Sequence, residues 1–501
     1  MNRLPAVLLL AVCLNWIPAS ARAADVVQEP ARQTPVLYES DVVVIGGGLS
    51  GVGAALGAAR TGAKTLVVER TGYLGGWLRG TGLGNVVVVS NPGWRPSIRE
   101  GALLDIAKKM VELNGEGYRD LDSVLQSGHL LVTNHEMMPQ AFQQLVTEAG
   151  AEILYFSTYV DSIVKDGTIE AIIVETPVGR GAIRGKVFID CTGLATVAAE
   201  SGAPTKKAEA FMGLASWIGG VDVKKYNEWE QTRPKEGSPE LKQWLEQKLG
   251  HKLTYFSSTG GGPDMMNYPW DDWWTRNSGT YGESFREAVE KGEIPLFYRV
   301  GEKGMISIIE GVKPIQFEVA GGIARPRTYI VGVDPTDIKQ VSEAHAKSAH
   351  LLFQYTAFLN KYVPGFEKAE VIRLADMTIP RAGRSIESEE YDDAKENINP
   401  PADKPVLHDD AIAILKRGED KAVYEVPYSA MLPKKINNLL AVGKSSAGGI
   451  KFRTHMLSVT MGQGAGTAAA VAVREGVAVK DVPIKQVQAE LRRGGIEIPE
   501  R

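Results

Sequence analysis

Asp41-Val42-Val43-Val44-Ile45-Gly46-Gly47-Gly48-Leu49-Ser50-Gly51 is the stretch that decides the fold. Its first five residues form a continuously apolar, β-branched run, the pattern of a parallel strand covered on both faces. Gly46, Gly48 and Gly51 then satisfy G-x-G-x-x-G, and the Ala-rich residues 52–61 have the composition of a helix packed closely on a sheet. Each glycine has a task. Gly46 permits the tight turn, Gly48 lets backbone approach a pyrophosphate, and Gly51 removes a side chain where helix meets strand. Ser50 stands in the same first helical turn, where N–H groups and the helix dipole face phosphates. A second apolar run, Lys64-Thr65-Leu66-Val67-Val68, ends in Glu69, 18 residues after Gly51, as expected for the acid that accepts hydrogen bonds from ribose hydroxyls. The unit predicts a Rossmann-like α/β lobe that binds a dinucleotide, with NAD and FAD both open at this point.

Glu69-Arg70-Thr71-Gly72-Tyr73-Leu74-Gly75-Gly76-Trp77 resembles a segment of the FAD-dependent oxidoreductase family, within the glutathione-reductase-like flavoprotein superfamily. The resemblance implies FAD, with Arg70, Gly75 and Gly76 folding back along its pyrophosphate. Lys186-Val187-Phe188-Ile189-Asp190-Cys191-Thr192-Gly193 is similar to the strand and Asp-x-Thr-Gly turn that closes the family's cofactor lobe, which assigns Thr192 and Gly193 to the cofactor. The β-rich runs before it, 153–156, 159–164, 168–174 and 182–189, match the family's small antiparallel sheet, in which Val160 would be the backbone contact to adenine. Asn437 to Lys444, followed by the small-residue run from Ser458 to Ala470, resembles the closing motif, where Gly443 ends a strand beside the flavin. There a helix N-terminus would stabilise the charge that collects on two-electron reduction.

These pieces imply a cofactor lobe discontinuous in sequence, 36–205 and 430–485, with an inserted α+β substrate lobe at 206–429 and a tail at 486–501. Residues 24–35 read as a leader without periodicity. Residues 1–23 read as a secretory signal: Arg3, an apolar stretch from Leu4 to Ile17, and Ala21-Arg22-Ala23 before a mature start at Ala24. The expected location is therefore periplasmic or secreted, with no membrane span in the mature chain. The 501 residues are 44% hydrophobic and 23% charged, with a formal net charge of −4, which provides no field for gathering nucleic acid. Of two cysteines only Cys191 remains in the mature chain, so no intrachain disulfide and no C-x-x-C chemistry are available. The seven histidines form no zinc-type spacing, and no metal is expected.

The substrate should be written in the insert. Six of nine tryptophans fall there, and Tyr268 to Arg276 interleaves Trp270, Trp273 and Trp274 with Asp271 and Asp272, a chemistry suited to a sugar ring. Two arginine runs, Arg325-Pro326-Arg327 and the stretch carrying Arg381 and Arg384, resemble segments that pass beside the flavin and suit an anion clamp. Arg453 and His455 lie where a catalytic loop would meet the ring, and His455 suits a proton acceptor in hydride transfer. The expected activity is hydride transfer between flavin and a small organic substrate such as a sugar or polyol, with an unidentified electron acceptor. The alternatives are reduction of an unsaturated acid and a non-catalytic carbohydrate-binding flavoprotein.

Overall fold

The computed structural model describes residues 27–80, 85–87, 101–114, 129–131 and 137–208, then 401–500 apart from 402 and 418–421. Between these it describes 210–400 with breaks at 233–238, 251–254, 258–266, 270–281, 296–297, 301–304, 309, 314–321, 325 and 399. The signal at 1–23, Trp270, Trp273, Trp274 and Arg325 lie outside the described residues.

The glycine turn joins strand β1 (Val36–Ile45) to helix α1 (Leu49–Arg60), and β2 (Thr65–Val68) returns parallel to β1. Residues 42–45 of β1 and all of β2 are buried, as apolar runs covered on both faces should be. They belong to a seven-stranded sheet. The strand Gly179–Asp190 pairs parallel with β1, and the distant strand Leu439–Ala441 pairs parallel with its far edge, Ala441 opposite Asp190. The first part of Gly179–Asp190 continues antiparallel to Thr168–Thr176, which pairs with Thr158–Lys165. One long strand thus belongs to both halves of the sheet. The run expected at 153–156 differs from the antiparallel reading. It forms Glu152–Leu154, parallel beside β2, because the outer edge of β2 is the hydrogen-bonding edge left open.

The helix His455–Glu475 lies along α1 with glycine against backbone on both sides. It is long and apolar enough to cross a membrane, but it sits inside the core, and close packing explains its composition. Among the described residues, buried side chains gather in two hydrophobic cores. The first gathers residues from Val42 to Ala203 and from Ile386 to Ile498, and the second lies within 212–375 around the helix Ile338–Tyr362. Segment 386–429, expected in the inserted lobe, packs with the first core because its hairpin, Ala411–Arg417 with Ala422–Pro427, sets Ile412 against Gly464 of the long helix. Nor is the end a loose tail: Ile484–Arg493 is a helix, and Val487, Leu491, Ile496 and Ile498 join that core.

Candidate functional site

The site starts at the glycine turn. Gly46 has φ +101°, and the Gly47 N–H donates to Glu69 Oε2 at 2.7 Å. The other oxygen of the buried Glu69 carboxylate accepts from the Thr71 N–H and hydroxyl, both at 2.8 Å, so the acid fastens β2 to the turn. The loop after it folds back as expected: the Gly75 N–H donates to Gly47 O at 2.8 Å, and Gly76 lies against Gly48. A Cβ on Gly51 would sit 1.9 Å from Gly46 O, so the chain's own packing demands that glycine. Gly48 is different. Among the described residues a Cβ there would meet only Gly76 Cα, at 4.0 Å, so packing does not demand the glycine and leaves room beside it.

Two helix starts converge on that space. Gly443, at the end of Leu439–Ala441, lies where a Cβ would be 2.6 Å from Ser50 Oγ and 3.4 Å from Ser458 Oγ. Neither N-cap residue, Gly48 of α1 or Thr454 of His455–Glu475, caps its helix with a side chain, and uncapped helix starts of this kind suit an anionic group. Open space at Gly48 between two uncapped helix starts fits a diphosphate. Val160 falls at the register break between Tyr159 and Asp161 and is partly exposed, and Arg70 is exposed, its Nη2 3.7 Å from Met377 Sδ.

Asp190 was not among the residues singled out from sequence, yet it organises the turn. Its buried carboxylate accepts from the Thr192 N–H (3.0 Å) and hydroxyl (2.6 Å), the Ala198 N–H (3.1 Å) and the Ser445 hydroxyl (3.3 Å). Burial raises its carboxyl above the ordinary range, and these donors pull the other way. Thr192 is therefore held within the turn, and Gly193 packs under Trp77, whose ring a Cβ would reach at 3.2 Å. Asp190→Ala would strand buried donors, each worth about 1–3 kcal/mol. We expect a loss of about 3 kcal/mol or more in urea unfolding of the FAD-free chain; a loss under about 1 would remove Asp190 from this role. Cys191, also buried, has its thiol pushed well above the ordinary range by burial and then by Asp190, which makes it unreactive.

A wall faces this turn. Asp376 accepts from Tyr73 OH and Arg79, both at 3.1 Å, and from Arg373 at 3.4 Å, tying segment 373–384 to the loop after Glu69. Arg384 donates to Leu194 O at 2.9 Å, and Glu387 pairs with Lys434 at 3.4 Å. Arg381, between Asp376 and Arg384 in sequence, is half-buried. Next to Gly443, Lys444 is buried. Its Nζ donates to Pro380 O (2.8 Å) and Ala382 O (3.3 Å) and stands 3.9 Å from the centre of the Trp77 ring. Burial, then the charges of Arg453 and Arg381, push the Lys444 ammonium well below the usual lysine range. Of the expected catalytic residues, Arg381 and Arg453 thus act electrostatically on a lysine that sequence reasoning passed over. His455 opens the long helix nearby, half-buried, and Arg384 is engaged with the Asp190 turn.

A family model described as FAD dependent oxidoreductase matches residues 41–491. The chain belongs to that family. FAD is the cofactor of this FAD dependent oxidoreductase, and the cradle around Gly48 fits it. The chain is also similar to thiamine thiazole synthase of Aeropyrum pernix, 30% identical over 157 residues, which are 31% of this chain and 51% of that protein. The enzyme of the same name from Methanococcus vannielii is 30% identical over 167 residues, 31% of this chain and 57% of that protein. The oxidoreductase spans about half the length of the curated relatives it matches. Among solved structures, a geranylgeranyl bacteriochlorophyll reductase-like protein from Thermoplasma acidophilum is similar at TM-score 0.41 and 14% identity, covering 92% of this chain and 84% of that one.

Proposed function

We propose that this FAD dependent oxidoreductase passes two electrons between its flavin and a small organic substrate, at a site walled by residues 376–384 and 443–455, with an electron acceptor supplied from outside the chain. The observation that carries the reading is the open space at Gly48, beside which Gly443 approaches Ser50 and Ser458 at the starts of two helices. FAD, when bound, supplies a two-electron carrier. Gly46, Gly48, Ser50, Gly51, Gly75, Gly76 and Gly443 would hold its diphosphate, and Glu69, Arg70 and Val160 its adenosine half. The turn at Thr192 and Gly193, with Gly193 under Trp77, would close the cofactor side of that site. The positive helix starts and the cations favour negative charge developing beside them. His455 at the start of the long helix would take or return the substrate proton.

The expectation of a sugar or polyol substrate rested on the cluster from Tyr268 to Arg276, whose Trp270, Trp273 and Trp274 lie outside the described residues; other tryptophans of the insert make contacts of their own. Trp244 donates to Glu290 at 2.9 Å, Trp217 lies under Arg373 at 5.3 Å, and Trp229 sits 6.0 Å from Tyr226. The charges of Arg381 and Arg453 acting on the buried Lys444 favour the alternative of a substrate with an acid group. The test is anaerobic mixing of FAD-loaded protein with 2-hydroxy acids, and of reduced protein with enoic acids, beside a panel of sugars and polyols. Bleaching or reoxidation of the flavin by a small acid is the expected result. Response to sugars alone would restore the polyol reading. Sugar binding with no flavin redox change would favour a non-catalytic carbohydrate binder.

We also propose export, supported by the pattern of residues 1–23. Mass spectrometry of the chain recovered outside the cytosol should find a first residue of Ala24; an intact Met1 start there would contradict it.

A further inference from the structure

We infer that residues 73–80 form a strap across the diphosphate seat at Gly48, and that Asp376, reaching over from the second core, is the latch that sets how fast FAD enters and leaves. The inference rests on the proposed seat of FAD at Gly48 and goes beyond it to the exchange of the cofactor. A diphosphate there lies between two close backbones. On one side Gly443 stands just after the buried strand Leu439–Ala441, where a Cβ would be 2.6 Å from Ser50 Oγ. On the other, the Gly75 N–H donates to Gly47 O at 2.8 Å, and a Cβ on Gly76 would lie 2.9 Å from Gly48 Cα. The first side continues the sheet. The second, a turn and the four-residue helix Trp77–Gly80, is the side able to give way.

Asp376 grips this strap at both ends. Its Oδ2 accepts from the Tyr73 hydroxyl and from Arg79 Nη1, both at 3.1 Å, and its own N–H donates to Gly80 O at 2.6 Å. Gly75 and Gly76 lie between these points. Burial, then the Asp376 charge, pushes the Tyr73 hydroxyl up to about 12, so at neutral pH it stays protonated and donates. The next residue adds to the hold, since a Cβ on Gly80 would be 2.8 Å from Met377 Cγ. Asp376 is itself fixed from the second core. Arg373 Nη2 donates to it at 3.4 Å while lying over the Trp217 ring at 5.3 Å, and the Ala375 N–H donates to Ala215 O at 3.0 Å. Ala375 belongs to the second core, whereas Leu74 and Leu78 of the strap belong to the first. The latch therefore ties one core to the other, and Leu74 and Leu78 still seat the strap without it. Every atom of the grip belongs to the chain, so it holds the strap equally with the seat filled or empty. A contact of that kind shifts no binding equilibrium and changes only the rate of opening.

The experiment follows flavin fluorescence in stopped flow, as FAD-free chain captures FAD and as loaded chain releases it on dilution. Asp376→Ala should speed capture and release alike, about tenfold, the size expected for two partly exposed ion pairs and one hydroxyl bond. The dissociation constant should stay within about twofold, and the FAD-free melt should match the parent chain. Tyr73→Phe should speed both rates by less, and adding it to Asp376→Ala should change nothing more, because the hydroxyl has already lost its acceptor. Raising salt from about 50 mM to about 500 mM should speed wild-type exchange about threefold and leave Asp376→Ala unmoved. Glu387→Gln, which breaks the pair with Lys434 and not the strap, should exchange FAD as wild type does. Faster release with slower or unchanged capture would overturn the inference, since Asp376 would then shape the seat itself. So would a lowered melt, or wild-type exchange indifferent to salt. A chain that retains no FAD overturns both the seat and the latch. A chain that retains FAD and exchanges it at one rate whatever stands at position 376 overturns the latch alone.

Discussion

Gly466→Ala is expected to unfold the cofactor lobe or leave it barely stable, although the change adds one methyl group inside a helix. That methyl would stand 2.0 Å from Ala54 O and 2.7 Å from Ala58 N, atoms of the α1 backbone. The contact is mutual. A Cβ on Gly462 would lie 2.2 Å from Ser50 O, one on Gly53 2.1 Å from Val459 O, and one on Gly57 2.2 Å from Gln463 O. No rotamer change relieves such contacts; the helices must separate, and with them the approach of Gly443 to Ser50 on which the site depends. Overpacking costs typically 1–3 kcal/mol and occasionally more, and a clash of backbone on backbone belongs at the top of that range, about 3 kcal/mol or beyond. Against a total stability of about 5–15 kcal/mol, the loss is severe. Thermal and urea unfolding of the FAD-free chain measure it. Gly476→Ala is the comparison: nothing lies within 4 Å, and only the cost of an alanine at φ +68°, about 1–2 kcal/mol, applies. Equal stability of the two variants would contradict the interlocked helices.

Gly48→Ala should behave in the opposite way. The residue has φ −69° and ψ −174°, a conformation open to any amino acid, and the nearest atom to an added Cβ is 4.0 Å away. The FAD-free variant should therefore melt within about 0.5 kcal/mol of the parent chain. Its affinity for FAD should fall about a hundredfold or more, because the methyl would occupy the approach to the diphosphate, and hydrogen bonds to a charged group are worth about 1.5–3 kcal/mol each. Isothermal titration with FAD, next to a melt without it, separates the two effects. Gly51→Ala, which strikes Gly46 O, should lose stability and binding together.

The cradle was legible because its information is local. Strand, glycine turn, helix, second strand and Glu69 lie within about thirty residues, and each residue type has a backbone reason to be where it is. The closing motif could be placed only by resemblance, since no local pattern tells Leu439–Ala441 that its partner is Gly179–Asp190. The glycine interlock was half legible: small residues were visible in both helices, but that Gly53 and Gly57 face Gly462 and Gly466 depends on tertiary placement. Lys444 carried one signal, a lone cation in an otherwise small and apolar run, while its bonding partners at Pro380 and Ala382 lie some sixty residues away. Asp190 was read as part of a turn signature, and its four donors come from as far as Ser445. Segment 386–429 joins the first core through distant partners that its own sequence does not reveal, Ile412 against Gly464 and the Tyr428 hydroxyl on Val479 O.

The central claim is that distant backbone turns enclose one FAD in the space kept open at Gly48. It is tested most directly by reconstituting the purified chain with excess FAD, removing free ligand, and measuring the FAD released on heating. The account predicts one FAD per wild-type chain and far less from Gly48→Ala at equal fold stability. A folded wild-type chain that retains none, or a Gly48→Ala chain that retains it as well as wild type, would contradict it.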